Sequence, residues 1–223
     1  MDFVSSHTSV PIPAIRDAWS DATGTYYILM QRVHGRVLED VLPSLTDSQR
    51  NMLARELGKY LQEIRSLPSP HSGAVCSLLG GAFRDDRLDV EDIGPFADIR
   101  EYHDWRISMV RELGVSAAHQ PTIDRVDNIR TRLRDDFRIV FTHSDLHPEN
   151  VLVDISNDGE AHVAAIIDWE MAGWRPEYWE YVKCLNCMGQ NAGWVKFVQE
   201  VLQPYEEEKT LDDELQRMAG EPY

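Results

Sequence analysis

Apolar residues recur at helical spacing most clearly between Thr46 and Pro68. Met52, Leu53, Leu57, Tyr60, Leu61 and Ile64 fall on one face of SLTDSQRNMLARELGKYLQEIRSLPSP, which predicts an amphipathic helix. Thr46, with Gln49 three residues on, forms a capping box at its start, and Pro68 closes it. A second helix is expected over 97–113 (ADIREYHDWRISMVREL). A third is expected over 121–136, with Pro121 near its start and Ile123, Val126, Ile129 and Leu133 on one face. Elsewhere the period changes. TYYILMQRV (25–33) is aromatic and branched and follows Gly24, so it reads as a strand that Gly35 breaks. RIVFT (138–142), NVLVD (150–154) and AHVAAIIDW (161–169) are short β-type runs, the last two joined by the turn SNDGE. They predict a β-hairpin in which Asp168 sits where the second strand ends. Residues 8–15 (TSVPIPAI) read as extended, and 71–97, glycine-bearing and aperiodic, as a long surface segment. After Pro176 the helical period returns over roughly 177–188, 193–203 and 209–218. The string EEE at 206–208 reads as a solvated helix face.

At 223 residues the chain is long enough for one large domain or two small ones, and a hydrophobic fraction of 43% allows a sizeable core. Its 22 Lys and Arg against 38 Asp and Glu leave a formal net charge of −16. That balance argues against a grip on nucleic-acid phosphates and against docking on an anionic membrane. An acidic surface suits a cationic small molecule. Three cysteines, Cys76, Cys184 and Cys187, with no basic segment and apolar run at the N-terminus, point to a reducing compartment and a cytoplasmic protein.

The chemistry concentrates at 143–150, HSDLHPEN. Asp145 lies two residues after His143 and five before Asn150, the H-x-D-x-x-x-x-N spacing of a protein-kinase catalytic loop. Phosphoryl transfer needs a carboxylate to orient and accept the proton of the attacking hydroxyl, and oxygen ligands for the metal on the polyphosphate. A loop delivers both when a base at its start and an amide near its end face one cleft. The hairpin returns Asp168 beside Asn150 as a second oxygen ligand, a donor set suited to Mg²⁺.

FTHSDLHPENVLVD followed by VAAIIDWEMAGWRPEYWEY closely resembles the motif and metal-binding segment of the aminoglycoside phosphotransferase and choline-kinase-like family. Ser144 and Glu149 stand where the common form has two glycines. TSVPIPAI, YYILMQRVHGRVL and IGPFADIREYHDW are similar to the segments that precede the hinge, form it and lead into the substrate lobe in fungal members. The resemblance covers nearly the whole chain. It implies an α+β, protein-kinase-like fold: mainly the helical C-terminal lobe (36–223) with a short catalytic β-hairpin, and a truncated N-lobe with its hinge (1–35). It implies Asp145 as base, Asn150 and Asp168 as metal ligands, and backbone near Gln31 and Val33 against the adenine of ATP. The function so implied is Mg²⁺-dependent transfer of the ATP γ-phosphoryl group to a small-molecule hydroxyl.

The resemblance begins in mid-family. The hinge-like strand starts near residue 25, the first glycine is Gly24, and the first of four lysines is Lys59, inside the long helix. The small-lobe lysine and phosphate-covering loop of the family therefore have no counterpart ahead of the hinge. Three explanations stand open: a fragment of an ordinary kinase, a short form that binds without turnover, or a non-kinase enzyme reusing the acidic cleft with Asp145 as acid/base. Apolar surface near residues 10–33 then invites a homodimer.

Smaller features carry plainer readings. Cys184 and Cys187 form C-x-x-C on a predicted helix and are taken as core thiols. His143 is expected to anchor the loop, and His147 to touch phosphate or to serve structure. Trp169, Trp174 and Trp179 are expected to pack, and Arg175 to meet phosphate or to pair with Glu177. The acidic run Asp85, Asp86, Asp89, Glu91 and Asp92 is expected to be solvated, with contact to a cationic acceptor as the alternative.

Overall fold

Thr46 caps the longest helix as its sequence predicts. Its hydroxyl accepts from the Gln49 N–H and the Gln49 side chain returns to the Thr46 N–H, so two N–H groups that a helix start leaves open are satisfied. The computed structural model describes residues 1–88, 90, 92–114, 120–186 and 192–219. In chain order these form α1 (Asp2–His7), β1 (Ile15–Ser20), β2 (Tyr26–Met30), β3 (Arg36–Val37), α2 (Leu38–Val41), α3 (Asp47–Arg65), β4 (Cys76–Ser77), α4 (Ile99–Gly114) and α5 (Gln120–Arg132). There follow β5 (Ile139–Thr142), β6 (Val151–Ile155), β7 (Ala161–Ile166), β8 (Gly173–Pro176), α6 (Trp179–Cys184), α7 (Ala192–Val201) and α8 (Glu206–Ala219). They fall into two compact units.

The first unit takes Met1–Leu67, Asp145–Trp169 and Asn191–Leu202. Its core is one stripe of α3, Leu53, Leu57, Leu61 and Ile64, laid against β7 and α7. Burial of each of these side chains contributes about 1.5–3 kcal/mol. From α7, Trp194, Phe197 and Val198 close the same core. The β6–β7 hairpin forms a three-stranded antiparallel sheet with β3, in the order β3-β6-β7. Glu56 of α3 holds it in place, its carboxylate accepting from the Val163 N–H at 2.8 Å. On the far edge Ile166 N–H bonds the Pro11 carbonyl at 2.9 Å, so the extended 8–15 segment guards β7. β1 and β2 pair only with each other among the described residues.

The second unit takes Pro68–Ser144, Glu170–Gln190 and Gln203–Tyr223, as far as these are described. Here α4, α5 and α8 share a core of Ile107, Val110, Val126, Ile129, Leu211 and Leu215, and β4-β8-β5 form a second sheet. The expected surface segment 71–97 sends several side chains into the interior. Val75, Phe83, Leu88, Ile93 and Phe96 are buried, and two isolated bridges, Val75 to Phe96 and Phe83 to Ile93, fold the segment on itself. Apolar residues at irregular spacing carry no period, so the sequence pattern missed them. α8 begins earlier than expected because Glu206, Glu207 and Glu208 fill its first turn, where carboxylates meet the positive end of the helix dipole.

Asp85 also departs from expectation. It is 3% exposed and pairs with Arg87 (2.8 Å) and Lys183 (3.0 Å), while Arg87 reaches Asp212 (2.6 Å). A buried charge requires such partners. Asp86 also pairs with Lys183 but stays half-exposed. Asp89, Glu91 and Cys187 lie outside the described residues. Trp174 and Trp179 pack as expected, and Cys184 is a buried free thiol. Arg175 turns inward rather than to the surface. It is fully buried over the Phe83 ring and donates to the Cys76 and Trp174 carbonyls; burial pulls its pKa down to about 10. Glu177 pairs with Arg138 instead, at 2.8 Å. Among the described residues no helix is long and apolar enough to cross a membrane.

Candidate active site

The loop ahead of β6 is short and tightly tied. Pro148 opens a single 3₁₀ turn, Pro148–Asn150, and its fixed φ suits that position. The turn closes with the Asn150 N–H on the His147 carbonyl at 3.0 Å. It turns the 5%-exposed Asn150 side chain back on the start of the loop. There its amide nitrogen donates to the Asp145 carbonyl (2.9 Å) and carboxylate (3.1 Å), and stands 2.9 Å from His147 Nε2. Two oxygen acceptors of Asp145 around one atom identify that atom as the NH₂ group. The other end of the amide, Oδ1, is then the atom left to serve as an oxygen ligand.

Asp145 is half-buried at the mouth of this loop, its side chain 16% exposed. His147 Nε2 lies 3.6 Å from its carboxylate and Nδ1 lies 3.5 Å from Glu149. Hydrogen bonding to Asp145 raises the His147 pKa against the opposing effect of burial. Glu149 in turn hydrogen-bonds Glu39, which raises the Glu39 pKa. The run of acids beside the loop therefore includes Glu39, a residue the sequence alone did not single out. No motif links it to Glu149; only the course of α2 brings them together.

Asp168 follows two residues after β7. Its backbone adopts φ +62, a left-handed conformation that few non-glycine residues take. The neighbouring Trp169 closes the turn, its indole N–H donating to the Ile166 carbonyl at 2.9 Å. The Ile167 N–H bonds the Asn150 carbonyl at 3.0 Å, so the chain delivers Asp168 directly beyond the residue paired with Asn150. The Asp168 side chain is exposed.

Of the predicted site residues, Asp145 and Asn150 are in contact, and Asp168 is one residue past their hairpin link. Gln31 and Val33 lie on the segment between β2 and β3. Gly35, in the same segment, is as close to the hairpin as a glycine permits: a Cβ there would meet the Val153 carbonyl oxygen at 3.0 Å. The Gln31 N–H is already taken by the Ala14 carbonyl at 2.8 Å, which leaves its carbonyl as the group it can offer.

The backbone just before Asp145 has its own clamp in the second unit. The Glu180 carboxylate accepts from the N–H groups of His143 (2.7 Å) and Ser144 (3.1 Å). The Ser144 hydroxyl meets that of Thr142 at 2.6 Å. Ser144 sits at φ +67, which explains why glycine suits this position in the common motif. Glu180 carries a signal in the sequence. It is a lone acid in the apolar run Trp179–Val182, and burial there demands a partner.

One exposed carboxylate and one amide oxygen are hard donors of the kind Mg²⁺ accepts alongside water and phosphate oxygens. Among the described residues no three His, Cys, Asp or Glu side chains gather to hold a metal, so a self-sufficient cage of the zinc or calcium type is not present there. A cation held by two such donors would draw its remaining ligands from a substrate.

The chain matches none of the curated proteins compared with it. Its fold is that of solved aminoglycoside phosphotransferases. The GDP complex of wild-type aminoglycoside 2'-phosphotransferase-IIIa matches with a TM-score of 0.60 and 16% identity, over 97% of this chain and 67% of that one. The apo form of a thermostable mutant of aminoglycoside phosphotransferase APH(4)-Ia matches at 0.62 and 16%, over 97% and 71%. The GDP and kanamycin complex of an APH(2") enzyme matches at 0.58 and 17%, over 98% and 67%. The chain thus spans about two thirds of the length of these structures, with the protein-kinase-like α+β fold they share. The model of the phosphotransferase enzyme family matches residues 1–220, and the chain belongs to that family.

Proposed function

We propose that this chain binds Mg-ATP and transfers the γ-phosphoryl group to the hydroxyl of a small molecule, one that an acidic protein would favour if it is cationic. The observation that carries the proposal is the double hydrogen bond from Asn150 to Asp145, which fixes a base and a metal-ligand oxygen in one loop. Family membership and neighbours solved with GDP, and with GDP and kanamycin, support it.

In the proposed reaction Asp145 orients the acceptor hydroxyl and takes its proton. The hydroxyl oxygen forms a bond to the γ-phosphorus, the bond from that phosphorus to the β–γ bridging oxygen breaks, and ADP leaves with the electron pair. Asn150 Oδ1 and Asp168 would hold Mg²⁺, which when bound neutralises the charge of the polyphosphate. The Gln31 carbonyl and the Val33 N–H would meet the adenine edge. On this reading residues 1–35 act as hinge and small-lobe segment and 36–223 as the helical lobe. The protein works in the cytoplasm on small molecules, without nucleic-acid or membrane partners.

The test is incubation of the full chain with Mg-ATP and a panel of hydroxyl-bearing amines, with products followed by mass spectrometry. A phosphorylated product, reduced by about 10²–10⁴-fold in Asp145→Asn, is expected for loss of a general base. No product, together with no stabilisation by Mg-ATP, would rule out the phosphotransferase assignment.

A further inference from the structure

We propose that Arg175 is a positioning residue for Asp168, its buried guanidinium tying down the turn that follows the metal acid; this inference rests on the reading of Asp168 as a ligand of Mg²⁺. The turn needs such a tie. Residues 167–172 belong to neither β7 nor β8, so no strand ladder fixes them. Asp168 nevertheless holds φ +62, a conformation that a non-glycine residue keeps only where its surroundings impose it. Toward β7, the Ile167 N–H bonds the Asn150 carbonyl and the Trp169 indole bonds the Ile166 carbonyl. Toward β8, inside the second unit, Arg175 takes over.

Its fork is placed for that task. Nη2 donates to the carbonyl of Met171, three residues past Asp168, at 3.5 Å. Nη1 donates to the carbonyls of Trp174 (3.0 Å) and Cys76. One planar group with fixed donor directions thereby joins the turn, β8 and the neighbouring β4. Gly173 is fitted around it. A Cβ there would lie 2.6 Å from the Cys76 carbonyl oxygen and 2.8 Å from Nη1 of Arg175, closer than such atoms can come. The missing side chain at 173 is what lets the guanidinium reach across β8.

Stability alone does not account for an arginine at this place. The side chain is fully buried. Among the described residues all of its hydrogen bonds end on carbonyls, and its buried Nε has no acceptor. The Phe83 ring, 3.5 Å from the guanidinium carbon, compensates in part. The carboxylates of Asp85 and Glu180 act on it without contact. Burial of a cation that touches no carboxylate is unfavourable, and a packed apolar side chain of similar volume is as stable or more so. Local choices that disfavour folding concentrate where function requires them. The acceptor at Met171, so near Asp168, identifies that requirement.

The test compares the full chain with Arg175→Met by calorimetric titration of ATP in Mg²⁺ and in chelator, by thermal melting, and by hydrogen exchange. The variant is expected to melt no lower than the parent, because methionine removes the buried charge. Its affinity for ATP in Mg²⁺ should fall by about tenfold or more, with its affinity in chelator unchanged. Amides of 168–174 should exchange faster than in the parent, and those of α4 at the same rate. Arg175→Lys keeps the buried charge without the fork and should show the same Mg²⁺-specific loss. Parental affinity in Mg²⁺ for either variant, or parental exchange over 168–174 in Arg175→Met, would overturn the proposal. So would a lower melting temperature with equal loss of affinity in both media, the behaviour of a merely structural residue. A parent chain without Mg²⁺-dependent binding would instead defeat the reading of Asp168 as a metal ligand, and the role of Arg175 with it.

Discussion

The amide nitrogen of Asn150 donates to both the carbonyl and the carboxylate of Asp145, at 2.9 and 3.1 Å, across five residues of chain. Asn150→Asp replaces that donor with an oxygen facing two acceptors. The variant should lose about 1–3 kcal/mol of stability, read by urea denaturation, and its phosphoryl transfer should fall with it. Unchanged stability would mean that the loop does not depend on this bond.

Lys183 shares the buried Asp85 carboxylate with Arg87 inside the second unit, the Lys183 and Asp85 side chains being 5% and 2% exposed. Removing Lys183 takes away a charge-assisted hydrogen bond but leaves Asp85 paired with Arg87. Lys183→Met should destabilise by about 1–3 kcal/mol, whereas loss of the half-exposed partner in Asp86→Asn should fall within about 1 kcal/mol. Thermal melts of the two variants check this ordering.

His103 bridges Asp135 (2.7 Å) and the Tyr178 hydroxyl (2.8 Å) while 2% exposed. Burial lowers its pKa, so the folded state resists the proton that the unfolded state accepts. The unfolded chain therefore binds more protons as pH falls below the ordinary histidine value near 6.5. Stability should drop there by up to about 1.4 kcal/mol per pH unit from this group and be fully retained above it. Urea titrations at several pH values should show that slope, and His103→Gln should flatten it.

How far such features can be read in advance depends on whether their cause is local. The capping box of Thr46 and Gln49, the apolar stripe of α3 and the β6–β7 hairpin are written in neighbouring residues, and all three were legible. So were Asp145 and Asn150, because their contact spans a single turn. The pairing of β1 with β2 was not, since Arg16 and Asp17 break any alternation in β1. The interior course of 71–97 depends on bridges such as Val75 to Phe96, which connect residues with no periodic relation. Glu39 meets Glu149, and Glu180 meets Ser144, only after the chain has folded.

The cap itself offers a calibration of the first unit. Thr46→Ala removes the side-chain acceptor and should lower stability by about 1 kcal/mol, while Thr46→Ser should retain most of it. Denaturant midpoints for the two variants would separate the cap from general effects of substitution.

The most direct measurement of the central claim is calorimetric titration of ATP into the full chain, in Mg²⁺ and in chelator, for the parent and for Asp168→Ala. Mg²⁺-dependent binding by the parent, weakened at least about tenfold in the variant, is expected if Asp168 helps to hold the metal. Binding that is equal with and without Mg²⁺, or equal in parent and variant, would contradict it.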